Sequence, residues 1–342
     1  MDGSDIIIVG GACIGLSIAK HLAEQSPHSI SVIEKEYHFA AHQSGRNSGI
    51  LHPGFNYPPG STKARFAIEG TRRLKSYARY HDVPLQEHGV LVVAQDDDEE
   101  ARLCTLQNQA AANGVETKLL GPAELTEREP YASGQAALFC PAAASIDSQK
   151  YVYALATEAE NRGVQFYMGH RVEKVQQDDT GVRIRTNKGE LQGDYLVNAA
   201  GLYADRLAHQ FDVGQDYKIV PFRGDYYELV PDQSDVCQSL IYPTPDPELP
   251  FLGVHYTRRT DRKVIVGPNA VLAPGREAYR NTQLTLQEFA ETLRYQGFWR
   301  LVGNRKMIRI MWDELNKSYR KSQFVAAAQR LVPDVWAADL RR

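Results

Sequence analysis

Residues 6–9 form a short, continuous, β-branched apolar run, the pattern of a parallel strand buried on both faces. Gly10 and Gly11 break it. From 16 to 23 the apolar positions recur at helical spacing, and residues 30–33 return to the strand pattern before Glu34. Strand, glycine turn, helix and strand together predict a βαβ unit.

Further on, 89–93 reads as a strand, 99–113 as an amphipathic helix, and 137–144 as an apolar stretch interrupted by Pro141. A helix over 149–162, a strand over 164–167, a hairpin from 172–175 and 182–186, and a buried strand over 195–198 ending in Ala199-Ala200-Gly201 follow. The nucleotide-type pattern therefore resumes after an insertion. Residues 226–230 and 263–267 predict an antiparallel sheet, with the proline-rich stretch 243–250 connecting its parts. Helices over 286–301 and 317–331 come last, the second closed by Pro333.

At 342 residues the chain exceeds the roughly 250–300 that one core holds, which favours two domains. Its formal charge of −3 is spread over interspersed acids and bases, which excludes a nucleic-acid partner and points to a small molecule. The run from Asp96 to Glu100 reads as a solvated turn before a helix. Cys13, Cys104, Cys140 and Cys237 lie far apart, so neither zinc nor a disulfide framework is indicated, and a reducing compartment fits. The opening residues lack the pattern of a secretory signal, and the apolar stretch 6–19 is too short to span a bilayer. The expectation is a cytoplasmic protein, with peripheral attachment at the inner membrane face as the second option. For the latter, Arg294, Arg300, Arg305, Lys306, Arg309, Lys317, Arg320 and Lys321 surround Phe298, Trp299 and Trp312, a composition suited either to anionic lipid or to a solvated helix pair.

The glycine turn carries the first chemistry. A pyrophosphate is a compact dianion, and a helix N-terminus offers unpaired N–H groups and partial positive charge. Gly10 makes the turn and Gly15 lets helix and strand pack closely, but the middle position of the GxGxxG pattern is Ala12, with Gly11 before it to relieve part of the cost. A methyl there costs on the order of 1–3 kcal/mol if the ligand cannot shift. Glu34, at the end of the second strand, suits adenosine ribose hydroxyls and repels a 2′-phosphate. Cys13 is expected only to pack. This unit alone leaves FAD and NAD open.

The stretch His42-Gln-Ser-Gly-Arg-Asn-Ser-Gly-Ile-Leu-His52-Pro-Gly54 resembles the flavin-contacting segment of the glycerol-3-phosphate dehydrogenase and D-amino-acid oxidase superfamily. Asp194-Tyr-Leu-Val-Asn-Ala-Ala-Gly201, followed by Ala204-Asp205, is similar to its second FAD motif. Pro221-Phe-Arg-Gly-Asp-Tyr226, Tyr242-Pro-Thr-Pro-Asp-Pro247, Pro250-Phe-Leu-Gly-Val-His255 and Gly267-Pro-Asn-Ala270 together resemble the L-2-hydroxyglutarate oxidase/dehydrogenase family. That resemblance implies FAD as cofactor, with Ser44, Asn47, Ser48, Gly49, Val172, Ala200 and Gly201 among its contacts. It also implies an α/β, two-domain (α+β) architecture: a Rossmann-like FAD-binding domain with an inserted, mainly antiparallel β-sheet substrate domain. The expected division is 1–85 and 146–214 for the FAD-binding domain and 86–145 and 215–305 for the substrate domain, with 306–342 as helices returning toward the former.

The implied reaction is oxidation of L-2-hydroxyglutarate to 2-oxoglutarate, a 2-hydroxy acid substrate, with oxygen or a membrane quinone as electron acceptor. A base must take the hydroxyl proton and cations must hold two carboxylates. His52 and His255 are both candidates for the base. Arg223 is the first choice for a carboxylate, followed by Lys63, Arg65 and Arg309. An amino-acid or sarcosine-type amine oxidase is the alternative. Family members continue past the position of Arg342 with a strand and a glycine-containing helix over the flavin, so a weakened site, or a flavoprotein without catalysis, is the expected departure.

Overall fold

The computed structural model describes residues 2–246 and 252–342. These fall into two compact units, each assembled from separated stretches: 1–47, 148–221 and 273–301 in the first, and 48–147, 222–272 and 302–342 in the second.

The first unit is built on a six-stranded sheet in the order Val172–Asp178, Gly181–Thr186, Gly189–Asn198, Asp2–Val9, Ile30–Glu34, Gln165–Met168. The last four run parallel, and the first three form an antiparallel meander. Ile7 and Val9 face one core with Ile33 and Ile184, while Ile6 and Ile8 face another with Ala19, Val32 and Val164. Alternate residues of one strand thus feed both layers, which is why the sequence reads as a continuous apolar run. Each fully buried isoleucine contributes about 2–3 kcal/mol. Helix Cys13–Gln25 covers the second face and packs on helix Ser148–Asn161.

The second unit holds an eight-stranded sheet, Leu340–Arg341, Phe222–Leu229, Val264–Leu272, His255–Arg258, Leu240–Pro243, Val90–Ala94, Ala136–Cys140, Lys118–Leu120. It is antiparallel except where Leu240–Pro243 runs parallel to Val90–Ala94. Leu91 and Val93 point into a core closed by Phe324 and Ala328 of helix Lys321–Gln329, and Val90, Val92 and Ala94 into a core closed by Leu103 and Ala110 of helix Asp97–Ala112. A small sheet sets Ala144–Ile146 between Ile50–Leu51 and Leu85–Gln86.

The units divide at other residues than expected. Residues 48–85 join the second unit, because Ile50–Leu51 and Leu85–Gln86 both pair with Ala144–Ile146. Residues 273–301 join the first, held by the Arg276–Asp205 ion pair and by Arg206 with Glu288 and Glu291. The C-terminal stretch 302–342 belongs to the second, where Leu340–Arg341 adds an edge strand to Phe222–Leu229. The helix expected over 286–301 is two, Leu286–Arg294 and Gln296–Val302, separated by Tyr295 in an extended conformation. Likewise Arg320 separates helix Arg305–Tyr319 from Lys321–Gln329. Pro247, Pro250 and Phe251 of the quoted motifs, and with them the end of the 243–250 connection, lie outside the described residues.

Candidate active site

In the first unit the candidate cofactor residues converge at the carboxyl ends of the parallel strands, where such sheets bind ligands. The Gly10 N–H donates to Ile33 O at 2.8 Å and the Ala199 N–H to Val9 O at 2.9 Å, drawing three strand ends together. Gly10 has φ +116°, and a β-carbon on it would stand 2.2 Å from the Ala199 carbonyl oxygen. On Gly15 it would stand 1.9 Å from the Gly10 carbonyl oxygen. The helix can therefore start this close to the strand only with glycine at both positions. Glu34 closes the turn: its Oε2 accepts from the Gly11 N–H at 2.8 Å and its Oε1 from the Glu36 N–H at 2.9 Å.

Ala12 is the N-cap, with extended dihedrals (φ −112°, ψ −172°) open to every residue, so its methyl introduces no backbone strain. It offers no side-chain cap, and the first helical turn carries no acid. The Ser44 hydroxyl accepts from the Cys13 N–H at 3.2 Å, which places Ser44 at the helix N-terminus. Asn47 donates to Gln43 O and Ser44 O and so shapes that turn. Ala200 and Val172 pack on the core of this unit, and Gly201 follows Ala200 into a short 3-10 turn. Burial raises the Cys13 thiol, against a lowering contribution from Tyr151, so Cys13 packs. A helix N-terminus free of acids, a cradle closed to β-carbons and a carboxylate on the turn fit the pyrophosphate and ribose of a dinucleotide.

Beside this turn lies a polar network whose sequence signals are Lys35, directly after Glu34, and His42, the first residue of the flavin-segment motif. The Lys35 ammonium lies 2.7 Å from Glu277 Oε1 and 2.7 Å from His42 Nε2, and also contacts Glu36. His42 Nδ1 meets the Tyr279 hydroxyl at 2.7 Å, and Tyr203 donates to Glu277 at 2.7 Å. Burial opposes the Lys35 charge, but the hydrogen bonds it donates to Glu277 and Glu36, with their charges, outweigh it and raise its pKa. Glu36, His42 and Glu277 are spaced to hold a metal ion, yet they already converge on this ammonium.

In the second unit the two candidate histidines flank one tyrosine. The Tyr242 ring lies 6.3 Å from His52 and 4.4 Å from His255, centroid to centroid. His52 and Tyr242 line a cavity of about 280 Å³ with Tyr57, Asn56, Asp246 and an apolar wall that includes Phe55, Val90 and Leu240. His52 is solvent-exposed and lines the cavity. Desolvation by the surrounding protein lowers its pKa, and the charge of Lys63 lowers it further. His255 is 7% exposed and sits behind Tyr242, outside the cavity lining. Burial pushes its pKa down to about 4, against the Gly253 carbonyl, 2.9 Å from its Nδ1, and with repulsion from His52. A carbonyl only accepts, so Nδ1 carries the hydrogen and Nε2 the lone pair. Burial also raises the Tyr242 hydroxyl, with Tyr226 and Tyr57 as charged-state neighbours, and pushes Tyr226 up to about 12 against a lowering contribution from Ser48. Ser48 is thereby placed beside Tyr226, while Gly49 O accepts from the Ile146 N–H at 2.7 Å.

The expected cations separate. Arg223 Nε donates to Asp225 Oδ1 at 2.6 Å, and Asp225 also receives Ser318 and Arg342, so the Arg223 guanidinium meets a carboxylate of the protein itself. Arg65 is exposed and lies over the Phe66 ring, and Arg309 is exposed on helix Arg305–Tyr319. Lys63 lies 4.4 Å over the ring of the cavity-lining Tyr57. Tyr57, Tyr226 and Tyr242 are the site residues that residue-type reasoning passed over, because tyrosines are common in cores. The quoted motifs Pro221–Tyr226 and Tyr242–Pro247 contain two of them.

A doubly wound sheet with a dinucleotide turn at its strand ends, joined in one chain to a β-sheet unit whose cavity is lined in part by His52, defines a two-domain nucleotide-dependent oxidoreductase. The family described as FAD dependent oxidoreductase matches residues 5–337, and the chain belongs to it. It is 37% identical over 338 residues to an L-2-hydroxyglutarate dehydrogenase of Indibacter alkaliphilus, covering 98% of this chain and 84% of that one. It is 37% identical over 339 residues to an L-2-hydroxyglutarate dehydrogenase of Escherichia coli, covering 98% and 80%. Among solved structures, an FAD-bound L-alpha-glycerophosphate oxidase of Mycoplasma pneumoniae superposes with a TM-score of 0.80 at 23% identity, over 100% of this chain and 82% of that one. This last likeness fixes the fold.

Proposed function

We propose that the chain oxidises L-2-hydroxyglutarate to 2-oxoglutarate. The observation that carries the reading is His52 on the lining of a cavity in the β-sheet unit of a chain so similar to named L-2-hydroxyglutarate dehydrogenases. FAD, when bound, supplies the two-electron acceptor for the substrate Cα hydrogen. Gly10, Gly11, Gly15, Glu34 and Ser44 would hold it through the turn and the ribose. His52 takes the hydroxyl proton, because its lowered pKa leaves the ring unprotonated at working pH. His255 holds the Tyr242 ring from behind, and Tyr242 in turn fixes one wall of the cavity.

Dye reduction by purified, FAD-reconstituted protein tests this reading. Turnover with L-2-hydroxyglutarate and none with glycine or sarcosine is expected; the reverse pattern would establish an amine oxidase instead.

Electrons are proposed to leave to a membrane quinone. Ile308, Trp312, Leu315 and Tyr319 are exposed along one side of helix Arg305–Tyr319, with Arg305, Arg309 and Arg320 beside them. Asn269 and Ala270 anchor the helix from its other side through Glu314. This face suits shallow insertion at an anionic bilayer, and among the described residues no helix is long and apolar enough to cross one. Flotation with phosphatidylglycerol vesicles but not phosphatidylcholine vesicles, lost in Trp312→Ala, is the expected result. Equal recovery in both gradients would remove the membrane from the reading.

A further inference from the structure

We propose that Lys63 is the specificity-determining cation of the cavity, taking the distal carboxylate of a dicarboxylic 2-hydroxy acid; this rests on the proposed oxidation. Lys63 stands in the first turn of helix Thr62–Tyr80, where the Ser61 hydroxyl caps the Ala64 N–H at 3.1 Å and no acid is present. Lys63 is exposed, its ammonium lies 4.4 Å over the Tyr57 ring, and Tyr57 lines the cavity. Among the described residues Lys63 has no acidic partner, whereas Arg223 is held by Asp225, Lys75 by Glu87 and Arg79 by Glu87. The Lys63 charge also acts on His52, the base of the proposed oxidation.

A five-carbon substrate with carboxylates at both ends and a hydroxyl at C2 needs its distal charge met at a distance from the base. Lys63 meets that need without entering the cavity, since a flexible four-carbon stem lets it swing from the ring face to the anion. The aromatic face meanwhile stores the ammonium at little cost. A neutral-tailed 2-hydroxy acid gains nothing from it.

The test uses the FAD-loaded full chain and its Lys63→Met and Lys63→Arg variants. The first readout is the ratio of kcat/KM for L-2-hydroxyglutarate over L-2-hydroxyvalerate, which has the same chain length and one carboxylate. The second is calorimetric binding of glutarate, which needs no turnover. Lys63→Met should lower the ratio and the glutarate affinity by about 20- to 100-fold, the value of a charged hydrogen bond, and Lys63→Arg should recover most of both. Equal losses for both substrates, or unchanged glutarate binding, overturn the assignment. If the unaltered chain fails to oxidise L-2-hydroxyglutarate yet binds glutarate through Lys63, the reaction is wrong and the cation site stands. If it turns over normally while Lys63→Met keeps the ratio, the site is wrong and the reaction stands.

Discussion

Replacing His255 by asparagine should make the protein less sensitive to acid. Asparagine keeps a donor for the Gly253 carbonyl, 2.9 Å from His255 Nδ1, but has nothing to protonate. In the fold the imidazole titrates near 4, against 6.5 when exposed. The sign follows from the depressed folded value. Between pH 6.5 and 4 the unfolded chain binds a proton that the folded chain refuses, so stability is complete above about 6.5 and falls as pH drops toward 4. The full displacement corresponds to about 3 kcal/mol, of which about 1.4 kcal/mol is already lost at pH 5.5 and almost none at pH 7.5.

Urea unfolding followed by circular dichroism at pH 7.5 and 5.5 measures this, and comparing the two proteins cancels the titrating groups that are not coupled to His255, as His52 is. The unaltered chain should lose about 1.4 kcal/mol more than His255→Asn between the two conditions. Parallel losses would refute the reasoning, since they would mean that the imidazole is solvated and that its place behind Tyr242 is wrong.

Gly15→Ala should empty the dinucleotide turn: its β-carbon would overlap the Gly10 carbonyl oxygen at 1.9 Å, costing about 3 kcal/mol or more, and unchanged flavin content and melting temperature would contradict the geometry. Glu34→Ala removes acceptors for two backbone N–H groups and should weaken FAD retention roughly 10- to 100-fold by fluorescence titration. Arg276→Met strands Asp205, both side chains being about 6% exposed, and should cost about 3–5 kcal/mol in urea unfolding while the double variant Arg276→Met, Asp205→Leu regains much of it.

The βαβ unit was legible because its physics is local. A doubly buried strand must be continuously apolar, and a turn pressed against a neighbouring carbonyl must be glycine, so both properties appear as residue types in order. Helix Thr62–Tyr80 was not legible. Its buried residues are Ala64, Thr71 and Ala78, small side chains in a narrow stripe, which gives no apolar periodicity strong enough to read. The boundary near residue 48 was missed for a related reason. It is set by the two-residue strands Ile50–Leu51 and Leu85–Gln86, whose pairing with Ala144–Ile146 depends on a partner far along the chain.

The candidate base residues could be named from their chemistry but not from their arrangement. Both histidines were singled out, and only tertiary packing separates them, leaving His52 on the cavity and His255 behind Tyr242. The cations show what a closer reading of the same letters contains. Arg223 and Asp225 are two positions apart in strand Phe222–Leu229, so alternation puts them on one face, within reach of each other. An arginine with a same-face carboxylate two residues on is already answered by its own strand. Lys63 lies in a helical first turn without acids, where nothing local competes for its charge. The ion-pair geometry of each element, taken before the fold, therefore ranks Lys63 above Arg223 for an incoming carboxylate.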